Sequence, residues 1–282
     1  LAQLARWLIA ESEYDQVLKL ITREDASGKD ILFECYVEAL VRKKSWTELK
    51  DFLVTSKSLP TSQINVLQLR ARCANASKEP PAVVMDFLTQ ARQLAAKAAD
   101  FNSLEFLAGT AASMGFAEIS IDCLRATSLS TPARWEKNLE QILSLQRTIG
   151  DIPAMLGTLN ELKGLKKSST PHFDAYVYLK LISGIELETV MDECAIFVEH
   201  GNISPDKYAF FKALAAYRHD DMISLKSSLQ KVNPKKLPLN WRAVCAGMLG
   251  YTGDRALAFQ LSEKIAVNTL SEDERNIFKD AL

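Results

Sequence analysis

Residues 249–265, LGYTGDRALAFQLSEKI, hold a complete helical hairpin. Leu249 closes an apolar helix, Thr252-Gly253-Asp254 makes a tight turn, and a second helix follows with the small residue Ala258 facing inward. Moving outward, the same pattern recurs. Ala117, Ile152, Leu187 and Met222 stand 35 residues apart, each placed to open the second helix of a pair. Ser120, Met155, Val190 and Leu225 follow three residues on, and Leu124, Leu159, Cys194 and Leu229 four beyond those. Three parallel ladders at one spacing identify internal repetition.

The turns agree with the ladders. Gly115 and Gly150 precede Ala117 and Ile152 by two residues, as Gly253 precedes Arg255, and glycine accepts the positive φ that a sharp helix-to-helix turn requires. The turns around Gly184 and His219-Asp220-Asp221 read as less regular, while Pro132, Pro171, Pro205 and Pro234 mark boundaries between pairs. Toward the start, Leu1, Leu4, Ala5 and Leu8 predict one short helix and Tyr14, Val17, Leu18 and Ile21 a second, with turn residues over 25–28. Phe33, Tyr36, Val37 and Leu40 begin the next pair, and Trp46, Leu49 and Leu53 complete it. In the third pair Ile64, Leu67, Ala71 and Ala74 define one face, Val66 and Leu69 allow a shifted register, and Pro80-Pro81 opens a long second helix over 83–98. Residues 271–282 predict a last helix, with Ser271 and Glu274 as its capping box.

Composition bounds the function classes. Hydrophobic residues make up 48% of the chain, ample for a continuous core, and 34 Lys and Arg balance 35 Asp and Glu. A net charge of -1 supplies no global field for nucleic acid or an acidic membrane. No apolar run reaches the roughly 18–20 residues of a membrane span, so no membrane insertion is expected. Leu1 already stands in a helical pattern without a starting Met, as in a piece of a longer protein. Cys35, Cys73, Cys123, Cys194 and Cys245 are scattered among apolar positions and form no CxxC pair, which predicts buried free thiols and a reducing compartment such as the cytoplasm, for a soluble chain whose parent protein could still be exported or membrane-tethered. His172, His200 and His219 lack the spacing of helical metal ligands, and GxSxG, HExxH and GxxxxGK[ST] are all absent. Neither an enzyme, a cofactor nor a metal is expected.

These features resemble the tetratricopeptide repeat family. Leu104, Leu107, Ala108, Ala111, Gly115, Ser120, Leu124 and Pro132 carry the likeness in the fourth pair, and Ala246, Leu249, Gly253, Ala258 and Ile265 in the eighth. Lys212 and Gln146 depart from it, standing where the family has apolar residues. The resemblance implies an all-α fold, a right-handed α-α superhelix (solenoid) of about eight degenerate helix-turn-helix repeats of about 35 residues. It would span residues 1–282 as a single domain; whether the proline-bearing stretches near 77–81 and 233–238 bend it is left open by the sequence.

The family's use of its fold implies a concave groove lined by the first helix of each pair. Carried onto this chain, that places Ala2 and Arg6, Glu34 and Glu38, Glu105 and Gly109, Glu140 and Ser144, and Ala243 and Gly247 along the groove, with Arg42, Arg147 and Tyr251 one turn further. The expected peptide-binding residues are therefore Arg6, Glu34, Glu38, Arg42, Glu105, Glu140, Arg147 and Tyr251, a mixed-charge set suited to a polar or basic segment. The leading expectation is a non-enzymatic scaffold or adaptor that binds a protein partner's peptide or helix. A regulatory or sensory domain of a larger protein, self-association through the end repeats, and single-stranded RNA binding are the alternatives, the last disfavoured by the charge balance.

Overall fold

In the computed structural model, residues 1–56, 58–165, 170–199 and 203–281 are described, and every regular element among them is helical. The chain folds as two compact units, Leu1–Leu145 and Gln146–Leu282. Unit 1 holds α1 (Ala2–Ala10), α2 (Tyr14–Leu20), α3 (Arg23–Gly28), α4 (Asp30–Arg42), α5 (Trp46–Thr55), α6 (Gln63–Ala76), α7 (Pro81–Lys97), α8 (Phe101–Ser113) and α9 (Ala117–Arg125), and the boundary falls inside α10 (Pro132–Ile149). Unit 2 holds α11 (Ile152–Leu165), α12 (Thr170–Ile182), α13 (Leu187–Glu199), α14 (Pro205–Arg218), α15 (Met222–Leu229), α16 (Leu239–Tyr251), α17 (Arg255–Ser262) and α18 (Glu272–Phe278).

The helix starts coincide with the first sequence ladder: Ala117, Ile152, Leu187 and Met222 open α9, α11, α13 and α15. All eight residues of the other two ladders are buried, from Ser120 and Leu124 to Leu225 and Leu229. A side chain at such a position packs between helices, so its apolar or small character follows from its place.

One backbone device closes the hairpins. A residue with positive φ stands at Ser12, Lys44, Lys78 and Gly115 in unit 1 and at Gly150, Gly184, Asp220 and Gly253 in unit 2. The next amide donates to a carbonyl five residues back, as from Ser45 to Leu40, Glu79 to Ala74 and Asp254 to Leu249, each at 2.9 Å. This is the Schellman arrangement, which satisfies carbonyls left over at a helix end. Four of these eight turns use a non-glycine residue in the left-handed region, and the turns at Gly184 and Asp220, expected to be irregular, follow the same plan.

The start of unit 1 departs from expectation. Residues 25–28 form the end of α3 rather than a turn, because Thr22 and Asp25 make a reciprocal capping box that nucleates a short helix. Behind it lies a core where the Phe52 ring meets Phe33 at a tilt, 6.1 Å between centroids, and Tyr36 edge-on at 5.0 Å. Helix α6 buries both candidate registers, Leu67, Ala71 and Ala74 together with Val66 and Leu69, since it is packed on more than one side. In unit 2 Trp241 stacks against Tyr178 at 4.8 Å and Phe210 at 5.4 Å, joining α12, α14 and α16. Of the two departures from the family pattern, Lys212 is exposed, with its ammonium over the Tyr208 ring, whereas Gln146 is buried.

Candidate functional site

Helix α4 positions a charged stripe. Its buried face carries Phe33, Tyr36, Val37 and Leu40, which leaves Glu34, Glu38 and Arg42, each four residues from the last, along one exposed side. Helix α6 supplies the opposite wall with Asn65, Leu69 and Arg72. Between them runs a groove of about 450 Å³ whose apolar lining is Phe33, Val37, Val41 and Leu69 and whose charged lining is Glu34, Glu38, Arg42 and Arg72.

The rim charges are held loosely. Arg42 Nη2 stands 3.5 Å from Glu38 Oε1, and Arg6 Nη2 stands 3.9 Å from Glu34 Oε2, with every side chain exposed. Exposed pairs of this kind contribute about 0–1 kcal/mol, so a ligand's charge can take either partner at little expense. Arg72 is better fixed, its guanidinium 5.7 Å above the Trp46 ring. Cys35, on the same helix as the stripe, is buried. Burial pushes its thiol up, and nearby Arg6 only partly offsets this. A protonated, buried thiol is no nucleophile.

Of the expected binding residues, the structure brings Glu34, Glu38 and Arg42 together at this groove, with Arg6 outside its lining but beside Glu34. Glu105 lies elsewhere, inside a structural network. Arg134 donates to both its oxygens, at 2.7 and 2.9 Å, and Asn138 donates to Oε1 at 2.9 Å. The Arg134 hydrogen bonds hold its carboxyl below the usual range, against the opposing effect of burial. Glu140 is exposed on α10, outside the groove lining, and Arg147 is exposed in unit 2. Tyr251 donates its hydroxyl to Asp220 and meets Tyr217 edge-on at 5.1 Å. The α6 wall is the part of the site that the sequence did not reveal, although Leu69 marks the second register of that helix.

Ala243 and Gly247 require a correction. The resemblance places both along an open groove, yet both are buried, and α18 packs directly on Gly247. A Cβ on Gly247 would sit 2.2 Å from the Ile277 carbonyl oxygen, and one on Gly250 1.9 Å from that of Asp280. Glu274 of α18 is buried, accepting from Tyr178 Oη at 2.6 Å and from Asn240 Nδ2 at 2.8 Å through Oε1, while its Oε2 accepts the Ser271 amide at 2.8 Å.

No protein-family model matches the sequence, nor does any characterised protein.

All five cysteines are free and buried, with burial pushing Cys73 to about 11 and Cys123, Cys194 and Cys245 to about 12. His219 is exposed at the end of α14, His172 is half-buried, and His200 lies outside the described residues. Among the described residues no cluster of His, Cys, Asp and Glu is arranged to hold a metal, and no helix is long and apolar enough to cross a membrane.

Proposed function

We propose that this chain is a protein-interaction module of tetratricopeptide-like helix pairs, a non-enzymatic scaffold or adaptor that receives a partner's peptide on the α4–α6 face of unit 1. The observation that carries this reading is the groove itself: an apolar floor with two acids and two bases on its rim. Apolar side chains of a ligand gain by leaving water for Val37, Val41 and Leu69, while the loosely held rim charges select the flanking residues. The occupant is a short segment with apolar residues between charges of both signs. The shared turn device and the buried ladders support the family reading. An RNA ligand fits poorly, since a rim with as many acids as bases offers no continuous track for phosphates.

A displayed random-peptide library, selected on the wild-type chain and on a Glu38→Arg/Arg42→Glu double variant, tests this reading. The exchange preserves an i,i+4 pair on α4 but inverts the rim. Peptides enriched on the wild type are expected to bind the variant about tenfold more weakly, with an unchanged circular dichroism spectrum. No enrichment, or equal binding to both proteins, overturns the assignment.

A further inference from the structure

We propose that the α12–α14–α16 face of unit 2 is a second, helix-specific docking site, occupied in cis by residues 271–281. Its partner is an acidic helix capped by Ser or Thr, with Glu at the third helical position and two apolar residues at the third and fourth positions beyond it. The proposal is independent of the groove in unit 1.

The receiving face is shaped for another backbone. Gly247 and Gly250 sit within α16, where each glycine weakens the helix by roughly 1 kcal/mol relative to alanine. Their lack of side chains is what lets the Ile277 and Asp280 carbonyls approach. The polar anchors stand beside them: Tyr178 and Asn240 donate to Glu274, Ser183 Oγ donates to Asp273 at 3.3 Å, and Tyr217 Oη donates to Asp280 at 3.0 Å. Four neutral donors, three on α12, α14 and α16 and Ser183 in the turn after α12, thus meet three carboxylates. Tyr178 is held by its stacking on Trp241 and Phe210, within the core of unit 2, so this donor keeps its place without α18.

The occupant is weak by comparison. Helix α18 has seven residues, and a helix so short is not stable alone, so its order depends on docking. Its buried apolar contribution is confined to Ile277 and Phe278, with Ala281 beyond and Leu270 before it. The connection from α17 runs through residues 266–270, all exposed except Leu270. Such a segment opens locally without unfolding the rest. Once it opens, the same glycines and donors accept an equivalent helix from a partner, whose apparent affinity is lowered by the fraction of time the cis helix is seated.

Two measurements on the full chain test this. The first is native-state hydrogen exchange, in which the α18 amides are expected to exchange about a hundredfold faster than those of α14 and α16. Equal rates would make α18 part of one cooperative core and overturn the proposal. The second is fluorescence anisotropy with a labelled, end-capped peptide of residues 271–281. A Glu274→Gln chain, whose cis helix has lost its buried charge, is expected to bind this peptide about tenfold more tightly than the wild type. Adding Tyr178→Phe, which keeps the ring but removes the donor, should abolish that gain. Equal binding by wild type and Glu274→Gln, or a gain that survives Tyr178→Phe, overturns the proposal. The Glu38→Arg/Arg42→Glu exchange should leave this binding unchanged, which separates it from the unit 1 groove.

Discussion

Helices α4 and α16 present opposite faces. On α4 Glu34, Glu38 and Arg42 line an open groove, whereas on α16 Gly247 and Gly250 run beneath a bound helix. The difference lies in side-chain volume and hydration. Carboxylates and a guanidinium keep a backbone at a distance and hold water, whereas Ala and Gly let main chain approach to contact distance. One unit therefore offers an apolar cleft with a charged rim and the other a covered seat.

The largest expected effect separates these two faces directly. Gly247→Ala would press a methyl group into the Ile277 carbonyl, a backbone atom that must shift, and should detach α18 at a cost of about 3 kcal/mol. The loss is capped by what α18 contributes, because the rest of unit 2 can stay folded. Glu38→Ala, on α4, should change stability by less than about 0.5 kcal/mol. Urea unfolding of both variants checks the pair of values.

Within unit 2, Ala258→Leu overfills the contact of α17 with α16, where Ala258 is fully buried, and should cost about 2 kcal/mol by the same measurement. In unit 1 the structural carboxylate Glu105 supplies a contrast with its exposed neighbours. Glu105→Gln should cost about 1.5 kcal/mol, because the charge-assisted fork from Arg134 is lost. The folded carboxyl lies below its ordinary value of 4.5, so this contribution is fully present above that pH and disappears as the pH falls through the lowered value. Unit 1 of the Glu105→Gln variant should accordingly show a flatter acid limb in a stability-against-pH series.

One expected effect is a gain. Lys78 closes the α6–α7 turn at φ 56°, where glycine is free of the steric penalty. Lys78→Gly should stabilise unit 1 by about 1 kcal/mol, read as a higher urea midpoint, whereas Gly115→Ala at the α8–α9 hairpin should lose a similar amount.

The helix starts were readable because packing constrains two things at once, the ladder residues and the turn chemistry. Met155, Leu159 and Gly150 all report the same hairpin. Helix α3 was not readable as a helix: its cap pairs Thr22 with Asp25, and Asp serves in turns as readily as in caps. Half of the groove was visible, since Glu34, Glu38 and Arg42 share one helix and one spacing. The α6 wall was not, because a helix buried on several sides shows no clean period. Ala243 and Gly247 were misleading for a reason of distance in the chain. Small residues announce a close approach but not by what, and Tyr178 and Glu274 are 96 positions apart.

The five cysteines have a practical consequence. Cys35, Cys73 and Cys123 lie in unit 1, Cys194 and Cys245 in unit 2, and all are shut away from solvent. A thiol in this state reacts with an alkylating reagent only when its surroundings open. The untouched chain therefore carries its own set of timers, and mass spectrometry after a pulse of iodoacetamide can report how often each unit breathes.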